Sequence, residues 1–412
     1  MPERNLDGLY SRKGVLHHIA TFQESRMHKD ITKRFPEHIL AQFPPAPRGP
    51  WADVPDKDWE NWHWHLQRRI KDVEGMEQVI NLSDDELNAA EATKNLFDIG
   101  IPPYYAALMD RNDPGCPIRL QATPRMAELT PEEWEMEDPL AEERDMPVQG
   151  VTHRYPDRVL FYITQNCAMF CRHCTRKRKV ADPSTAANDE QIDAGIEYIA
   201  SNPKIRDIVV SGGDPMTWSD NKLEKLLSRL RAIPHVEILR VGTRTPVTLP
   251  LRITEDVAKM LAQFHPIYVN THFNHPKECT REAFIACQRL ADHGIPIGNQ
   301  MVLLKGVNDD PATVMRLNHL LLMMRVKPYY IFQCDLNQGN AHLRTTVDKG
   351  LEIMEKLRGW TSGLAIPYYV IDAPGGGGKV PILPNYVVSR EPGKTTIRNF
   401  KGTIHVYPEP HE

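Results

Sequence analysis

The chain has 412 residues, enough for one large barrel-type domain with appendages or for two or three domains. A charged fraction of 25%, a hydrophobic fraction of 41% and a net charge of −4 are ordinary for a water-soluble protein and give no general reason to expect nucleic-acid binding. No apolar run reaches membrane-spanning length, and the opening MPERNLDGLYSRKG lacks the apolar core of a signal peptide, so a cytoplasmic, reducing setting is expected.

Residues 1–150 are expected to form a helical N-terminal region. Trp59, Trp62, Leu66, Ile70 and Val73 recur at helical spacing and predict one apolar stripe. Ser83 with Glu86 predicts a capping box ahead of another helix. The histidines of WENWHWHLQRR have no carboxylate or cysteine partner at ligand spacing, so packing and surface roles are expected for them. The acidic stretch ELTPEEWEMEDPLAEERD (128–145) reads as a solvated surface connection with no chemistry assigned.

From about residue 150 short apolar runs alternate with amphipathic helical patterns. The runs are VLFYIT (159–164), IVVSGG (208–213), ILRVGT (238–243), IYVNTHF (267–273), IGNQMVL (297–303) and YYIFQ (329–333). Between them lie helical repeats such as Ile192, Ile196 and Ile199, and Leu223, Leu226, Leu227 and Leu230. Strands alternating with helices predict an α/β fold of parallel βα units. Six units are too few for a closed eight-unit barrel, so an open partial (βα)6 barrel is expected over 151–340, with reactive groups at the strand carboxyl ends. Residues 341–412 form a third segment, read as a strand (IPYYVIDAP), a glycine loop and a terminal hairpin.

Three of the seven cysteines, Cys167, Cys171 and Cys174, fall in one loop, NCAMFCRHCT, directly after the first of these runs. A cytosolic cluster of this kind points to metal or redox chemistry rather than disulfides. Spacing C-x3-C-x2-C can hold three corners of a cuboidal iron–sulfur cluster. Zinc is the rival, but needs a fourth protein ligand and usually a second C-x2-C knuckle, which is absent. An iron left without a protein ligand can bind a small molecule through oxygen and nitrogen. Downstream, DAPGGGGK (372–379) ends four glycines with Lys379. Such a loop lets backbone amides approach a phosphate, and its lysine can form an imine with an aldehyde cofactor; an ordinary lysine on a surface loop is the competing reading.

The cysteine loop after the first barrel strand resembles the signature of the radical S-adenosylmethionine (SAM) superfamily, and SGGDP (211–215) resembles its glycine-rich SAM-contacting segment. With GTRTP (242–246), NTHFNHP (270–276), GNQ (298–300), PYYIFQCDL (328–336) and DAPGGGGKVPILPNYV (372–387), nearly the whole chain resembles the lysine 2,3-aminomutases. The resemblance implies an isomerase that moves an α-amino group to the β-carbon using a [4Fe-4S] cluster, SAM, and pyridoxal 5′-phosphate (PLP). It implies that Cys167, Cys171 and Cys174 hold the cluster and that Lys379 carries PLP, with Arg154 near its phosphate. It places Ser211, Gly212, Gly213 and Asp214, and less directly His173 and Gln300, around SAM.

For the substrate, the resemblance matches Arg176 to the carboxylate partner, and Asp335 and Asp372 to the pair that binds the far ammonium of lysine. Glutamate 2,3-aminomutases carry Lys and Asn at those two places, so the acidic pair favours a cationic end group. L-Lysine is the expected substrate, with arginine as the alternative and glutamate after it; ornithine differs from lysine by one methylene, which gives only modest selectivity. Well-known lysine 2,3-aminomutases end in a cysteine-rich segment that binds structural zinc with a barrel cysteine. Cys287 resembles that barrel ligand, but no cysteine follows Cys334, so no such zinc site is expected and a dimer is the safer expectation than the usual tetramer. The expected partners are the small amino acid, a flavodoxin- or ferredoxin-type reductant and a second copy of the chain, with no nucleic acid and no membrane. A zinc or RNA-binding protein would leave DAPGGGGK and the βα pattern unexplained. A PLP-dependent aminotransferase or racemase would leave the cysteines idle. A relative that modifies a lysine of a translation factor would be shorter.

Overall fold

A computed structural model describes residues 34–94, 97–180, 182 and 187–410. The opening MPERNLDGLYSRKG lies outside the described residues. The chain divides into two units, residues 1–42 and 43–412. Of the first, the described part carries one short helix, Glu37–Leu40.

The second unit is built on a nine-stranded sheet in sequential order, β1 (Val151–Tyr155), β2 (Arg158–Tyr162), β3 (Asp207–Ser211), β4 (Ile238–Gly242), β5 (Ile267–Thr271), β6 (Ile297–Leu303), β7 (Val326–Gln333), β8 (Tyr368–Ala373) and β9 (Gly378–Pro381). Strands β2 to β8 run parallel, while β1 and β9 add antiparallel edges. The two edges do not pair with each other, so the barrel stays open.

Six helices cross between consecutive parallel strands: Asp189–Ala200, Asp220–Arg231, Glu255–Ala262, Arg281–Asp292, Pro311–Met323 and Val347–Leu357. The six expected βα units are all present, and IPYYVIDAP adds a closing parallel strand, β8. Each crossover helix begins on a side-chain cap, from Asn188, Ser219, Thr254, Thr280, Asp310 and Thr346 in turn. A cap of this type is worth about 1 kcal/mol, because it satisfies a backbone N–H that the helix cannot. The isoleucines and leucines that marked the first two helices face inward: Ile192, Ile196 and Ile199, then Leu223, Leu226, Leu227 and Leu230, are buried. On the strands Ile208, Val210, Leu239 and Val241 are buried too, and they alternate with the cavity-lining Val209, Ser211, Arg240 and Gly242, which puts them on the face of the sheet away from the cavity, where a βα fold packs its helices.

The region before the barrel differs from its expectation. The stripe from Trp59 to Val73 is broken into three short helices, Asp56–Trp59, Trp62–Gln67 and Val73–Glu77. The capping box holds, with Ser83 and Glu86 exchanging bonds at the start of Asp84–Ala92. His65 packs edge-on against Trp59 and bonds its carbonyl at 2.6 Å, and burial pulls its pKa down to about 4. It is a core histidine. The expected C-terminal hairpin is a three-stranded meander, β10 (Val387–Glu391), β11 (Lys394–Arg398) and β12 (Ile404–Pro408). Every residue of β12 is exposed, so no one-sided burial pattern announced it.

Candidate active site

One cavity of about 650 Å³ runs through the open barrel, and every residue expected to bind cluster, SAM, PLP or substrate lines it: Arg154, Cys167, Cys171, His173, Cys174, Arg176, Ser211, Gly212, Gly213, Asp214, Gln300, Asp335, Asp372 and Lys379. Such a concave site at strand carboxyl ends is where βα folds gather function.

The cysteine loop leaves the end of β2 and is held from below by the glycine segment after β3. Gly213 N donates to the Thr164 carbonyl at 2.5 Å and Asp214 N to the Asn166 carbonyl at 2.6 Å. A Cβ at Gly213 would lie closer to the Asn166 carbonyl oxygen than the 3.0 Å that real Cβ atoms essentially never breach, and Gly212 has φ +138°. Glycine is needed here for backbone-on-backbone packing immediately before Cys167. Asp214 is buried and accepts from Met216 N, Arg244 N, and the Thr243 and Thr245 hydroxyls, so it ties the end of β3 to the loop after β4. Burial raises its pKa despite those bonds.

Cys167 and Cys174 pack against Phe97, Phe170 and Val180. Burial, then Asp214 and the neighbouring thiols, push the Cys167 thiol well up, while burial and Cys171 raise Cys174 to about 11. Thiols so placed become thiolates readily only when a metal replaces the proton. Among the described residues no three His, Cys, Asp or Glu side chains converge on a single ion, whereas three separate thiols on one wall suit the three corners of a cuboidal cluster. His173 is buried with Nδ1 lacking a hydrogen-bond partner, an orphaned polar atom in the wall of the cavity that fits a polar cofactor such as SAM. Gln300 lies on β6, and its carbonyl accepts from His272 Nδ1 at 2.8 Å. Burial, then the Arg244 charge, hold His272 down to about 4.

Asp372 and Lys379 face each other across the β8–β9 pair, with Lys379 Nζ 3.0 Å from both carboxylate oxygens. The amine also lies over the Phe332 ring at 5.0 Å. A lysine half-sheltered in a cavity beside a glycine loop, with Arg154 on the same wall, suits an aldehyde cofactor that carries a phosphate. Asp335 follows β7 and accepts from the Thr175 hydroxyl at 3.2 Å. Burial first, and then Asp372, raise its pKa to about 7. The Lys379 ammonium, bonded to Asp372, pulls the Asp335 pKa the other way, so a single amine serves both carboxylates.

The acidic stretch 128–145 overturns its reading as a solvated connection. Glu135 and Glu142 are buried; Glu135 accepts from the backbone N–H groups of Gly339, Asn340 and Ala341. Glu142 takes Arg176 by its Nε–Nη2 edge, and Asp145 takes Arg154 at 2.9 Å while the Leu140 carbonyl accepts from the same guanidinium. Pro139 and Arg144 grip Gly375 through its N–H and carbonyl. The charges are solvated by arginines that come from elsewhere in the chain, and nothing local in the sequence marks those long-range pairings. Gln121 and Glu278 were missed, since each reads locally as an unremarked polar residue; Arg244, at a strand end inside GTRTP, stood out by position but carried no assigned role.

Comparison with known proteins agrees with this geometry. Residues 161–317 match the family model for the radical SAM superfamily, and residues 354–412 match the model for lysine-2,3-aminomutase. The L-lysine 2,3-aminomutase of Fusobacterium nucleatum is 51% identical over 360 residues, covering 87% of this chain and 85% of that protein. The chain belongs to the lysine 2,3-aminomutase family. The Clostridium subterminale L-lysine 2,3-aminomutase is likewise 51% identical, over 87% of this chain and 86% of its own. A glutamate 2,3-aminomutase from Clostridioides difficile is 46% identical over 85% of this chain and 82% of its own. This family member is therefore a radical SAM aminomutase, an isomerase whose cofactors are a [4Fe-4S] cluster, SAM and PLP.

Proposed function

We propose that this aminomutase converts L-lysine to β-lysine. Overall identity does not choose the substrate, since lysine and glutamate enzymes lie only a few per cent apart. The observation that carries the reading is the acidic pair: Asp335 and Asp372 line the cavity that also holds Arg176. A cationic side chain would offset the burial, and after it the Asp372 charge, that lift Asp335 to about 7, whereas a carboxylate would add a third anion. Arginine is the second candidate, because a guanidinium also satisfies two carboxylates.

When bound, the cofactors supply a carbon radical, generated by reductive SAM cleavage, and a conjugated π-system that stabilises an unpaired electron. The residues do the rest. Cys167, Cys171 and Cys174 would hold the cluster. Ser211, Gly212, Gly213, His173 and Gln300 orient SAM, and Asp214 fixes the loops that carry them. Lys379 holds PLP and Arg154 its phosphate. Arg176 binds the substrate carboxylate, and Asp335 and Asp372 hold the far ammonium, so that the Cα–Cβ bond is held still for reaction. With PLP held by Lys379, that amine would no longer be engaged by Asp372, and the carboxylate would be left for the substrate ammonium.

Residues 1–150, 151–340 and 341–412 divide these tasks as N-terminal region, radical barrel and PLP-lysine segment. The electron comes from a flavodoxin- or ferredoxin-type donor in the cytoplasm. Among the described residues no helix is long and apolar enough to cross a membrane. A homo-oligomer is supported by the exposed Val388, Ile404, Val406 and Tyr407 of the C-terminal sheet.

Anaerobic assay of the iron-reconstituted protein with PLP, SAM and dithionite tests the reading. Lysine, arginine, ornithine and glutamate are supplied separately. A β-lysine product, absent with Cys171→Ala and Lys379→Ala, is expected. A β-arginine product alone would move the substrate, and turnover of glutamate alone would refute the role of the acidic pair.

A further inference from the structure

Arg244 meets one of the cysteines directly. Its Nη1 donates to Cys171 Sγ at 2.8 Å. The rest of the side chain is clamped: Nε donates to the His272 carbonyl at 3.1 Å, and Nη2 donates to Gln121 Oε1 at 2.5 Å and to Glu278 Oε1 at 2.8 Å. The main-chain N–H of Arg244 is fixed as well, on Asp214 Oδ2 at 2.9 Å. The guanidinium therefore has little freedom to leave the sulfur.

Glu278, the counter-charge, is fully buried and is itself held by Tyr105 Oη at 2.7 Å and by the backbone N–H groups of Asn274 and His275. Elements from the N-terminal region, the loop after β4 and the loop after β5 thus converge on a single Arg–Glu pair whose one outward donor is aimed at Cys171. A packing role alone does not require a guanidinium there, because a buried ion pair is stabilised no better than apolar side chains of the same volume.

We propose that Arg244, held by Glu278, is a positioning residue that sets the reduction potential of the cluster bound through Cys171. The inference rests on Cys171 being a cluster ligand. The event concerned is one-electron reduction of the 2+ cluster to 1+ by an external low-potential donor. Reduction adds negative charge that spreads onto the ligating sulfurs. A fixed cation bonded to one of them stabilises the reduced form and raises the potential. Glu278 opposes this in part, through the same guanidinium. Removing the two charges therefore moves the potential in opposite directions, which loss of packing does not do.

The test is a potentiometric titration followed by electron paramagnetic resonance, on reconstituted protein without SAM or substrate. Arg244→Gln is expected to lower the reduced-to-oxidised ratio at a fixed potential at least tenfold, a negative shift of about 59 mV for a one-electron couple. Glu278→Gln is expected to shift the midpoint positively, and Arg244→Lys to lie between wild type and Arg244→Gln. Should Arg244→Gln hold no iron, Arg244→Lys and Glu278→Gln carry the test by their opposite signs. Midpoints unchanged, or moved in the same direction, overturn the proposal. Iron content is measured in parallel for Cys171→Ala: a full cluster there would instead overturn the ligand assignment on which the proposal rests.

Discussion

Glu142 holds Arg176 by the Nε–Nη2 edge of its guanidinium, with contacts of 2.6, 2.9 and 3.0 Å, and both side chains line the same cavity. Arg176 is only 18% exposed and Glu142 7%. The Arg176 charge holds the Glu142 carboxyl below the usual range in spite of its burial. That edge presents two of the five N–H donors of an arginine, so the Nη1 side remains to meet a second carboxylate, the role proposed for that of the substrate.

Glu142→Gln tests that division. It keeps the shape and one acceptor while letting the guanidinium turn. The KM for lysine is expected to rise at least tenfold, about 1.4 kcal/mol, with a smaller change in kcat. Steady-state kinetics of the loaded enzyme read it. Glu142→Ala is expected to cost more, about 3–5 kcal/mol of stability, because it leaves a largely buried cation uncompensated; thermal unfolding reads that.

Asp335 gives a pH dependence with a definite sign. Its pKa of about 7 in the folded protein lies above the ordinary value of about 3.9, so the ligand-free fold retains a proton that the unfolded chain has lost. That contribution to stability is fully present below about pH 4 and is lost as pH rises through 7. Asp335→Asn should therefore unfold at a higher temperature than the parent at pH 8, with the advantage gone near pH 4. Conversely, the KM for lysine in the parent should fall as pH rises through 7, since the substrate ammonium needs the ionised carboxylate.

Gly213→Ala should act on the cysteine loop without touching a cysteine. Its Cβ meets the Asn166 carbonyl, and the strand end and loop must separate to admit it. A loss of about 2–4 kcal/mol is expected, together with iron retention well below that of the parent after reconstitution. Iron content and thermal unfolding, measured on the same preparation, check both.

The acidic pair should be sufficient to invert specificity. Asp335→Lys combined with Asp372→Asn reproduces the pattern of the glutamate enzymes. The ratio of kcat/KM for lysine over glutamate is expected to fall at least a hundredfold, about 2.8 kcal/mol, in side-by-side assays. An unchanged ratio would move the end-group site elsewhere.

Much of the barrel was legible because its signals are local. Strand runs, capped helices and the two glycine-rich loops each carry their information within a dozen residues, and the strand-end rule then collects Cys167, Ser211 and Asp335 into one place. The acidic segment was misread for the opposite reason. Glu135, Glu142 and Asp145 look like solvated surface charge until Asn340, Arg176 and Arg154 are brought to them from other parts of the chain. The network around Arg244 hid in the same way, with Gln121 and Glu278 over a hundred residues apart in the chain. The stripe from Trp59 onward failed because the chain bends between short helices, so helical spacing continued across residues that share no helix.

The central claim is that nitrogen moves within one lysine molecule from Cα to Cβ. Lysine labelled with 15N at the α position and 13C at C3, incubated anaerobically with the loaded enzyme and followed by nuclear magnetic resonance, tests it most directly. A new one-bond 15N–13C coupling at C3, with no loss of label to added unlabelled amine, is expected. Label that remains on C2, or exchanges with the solution, would contradict it.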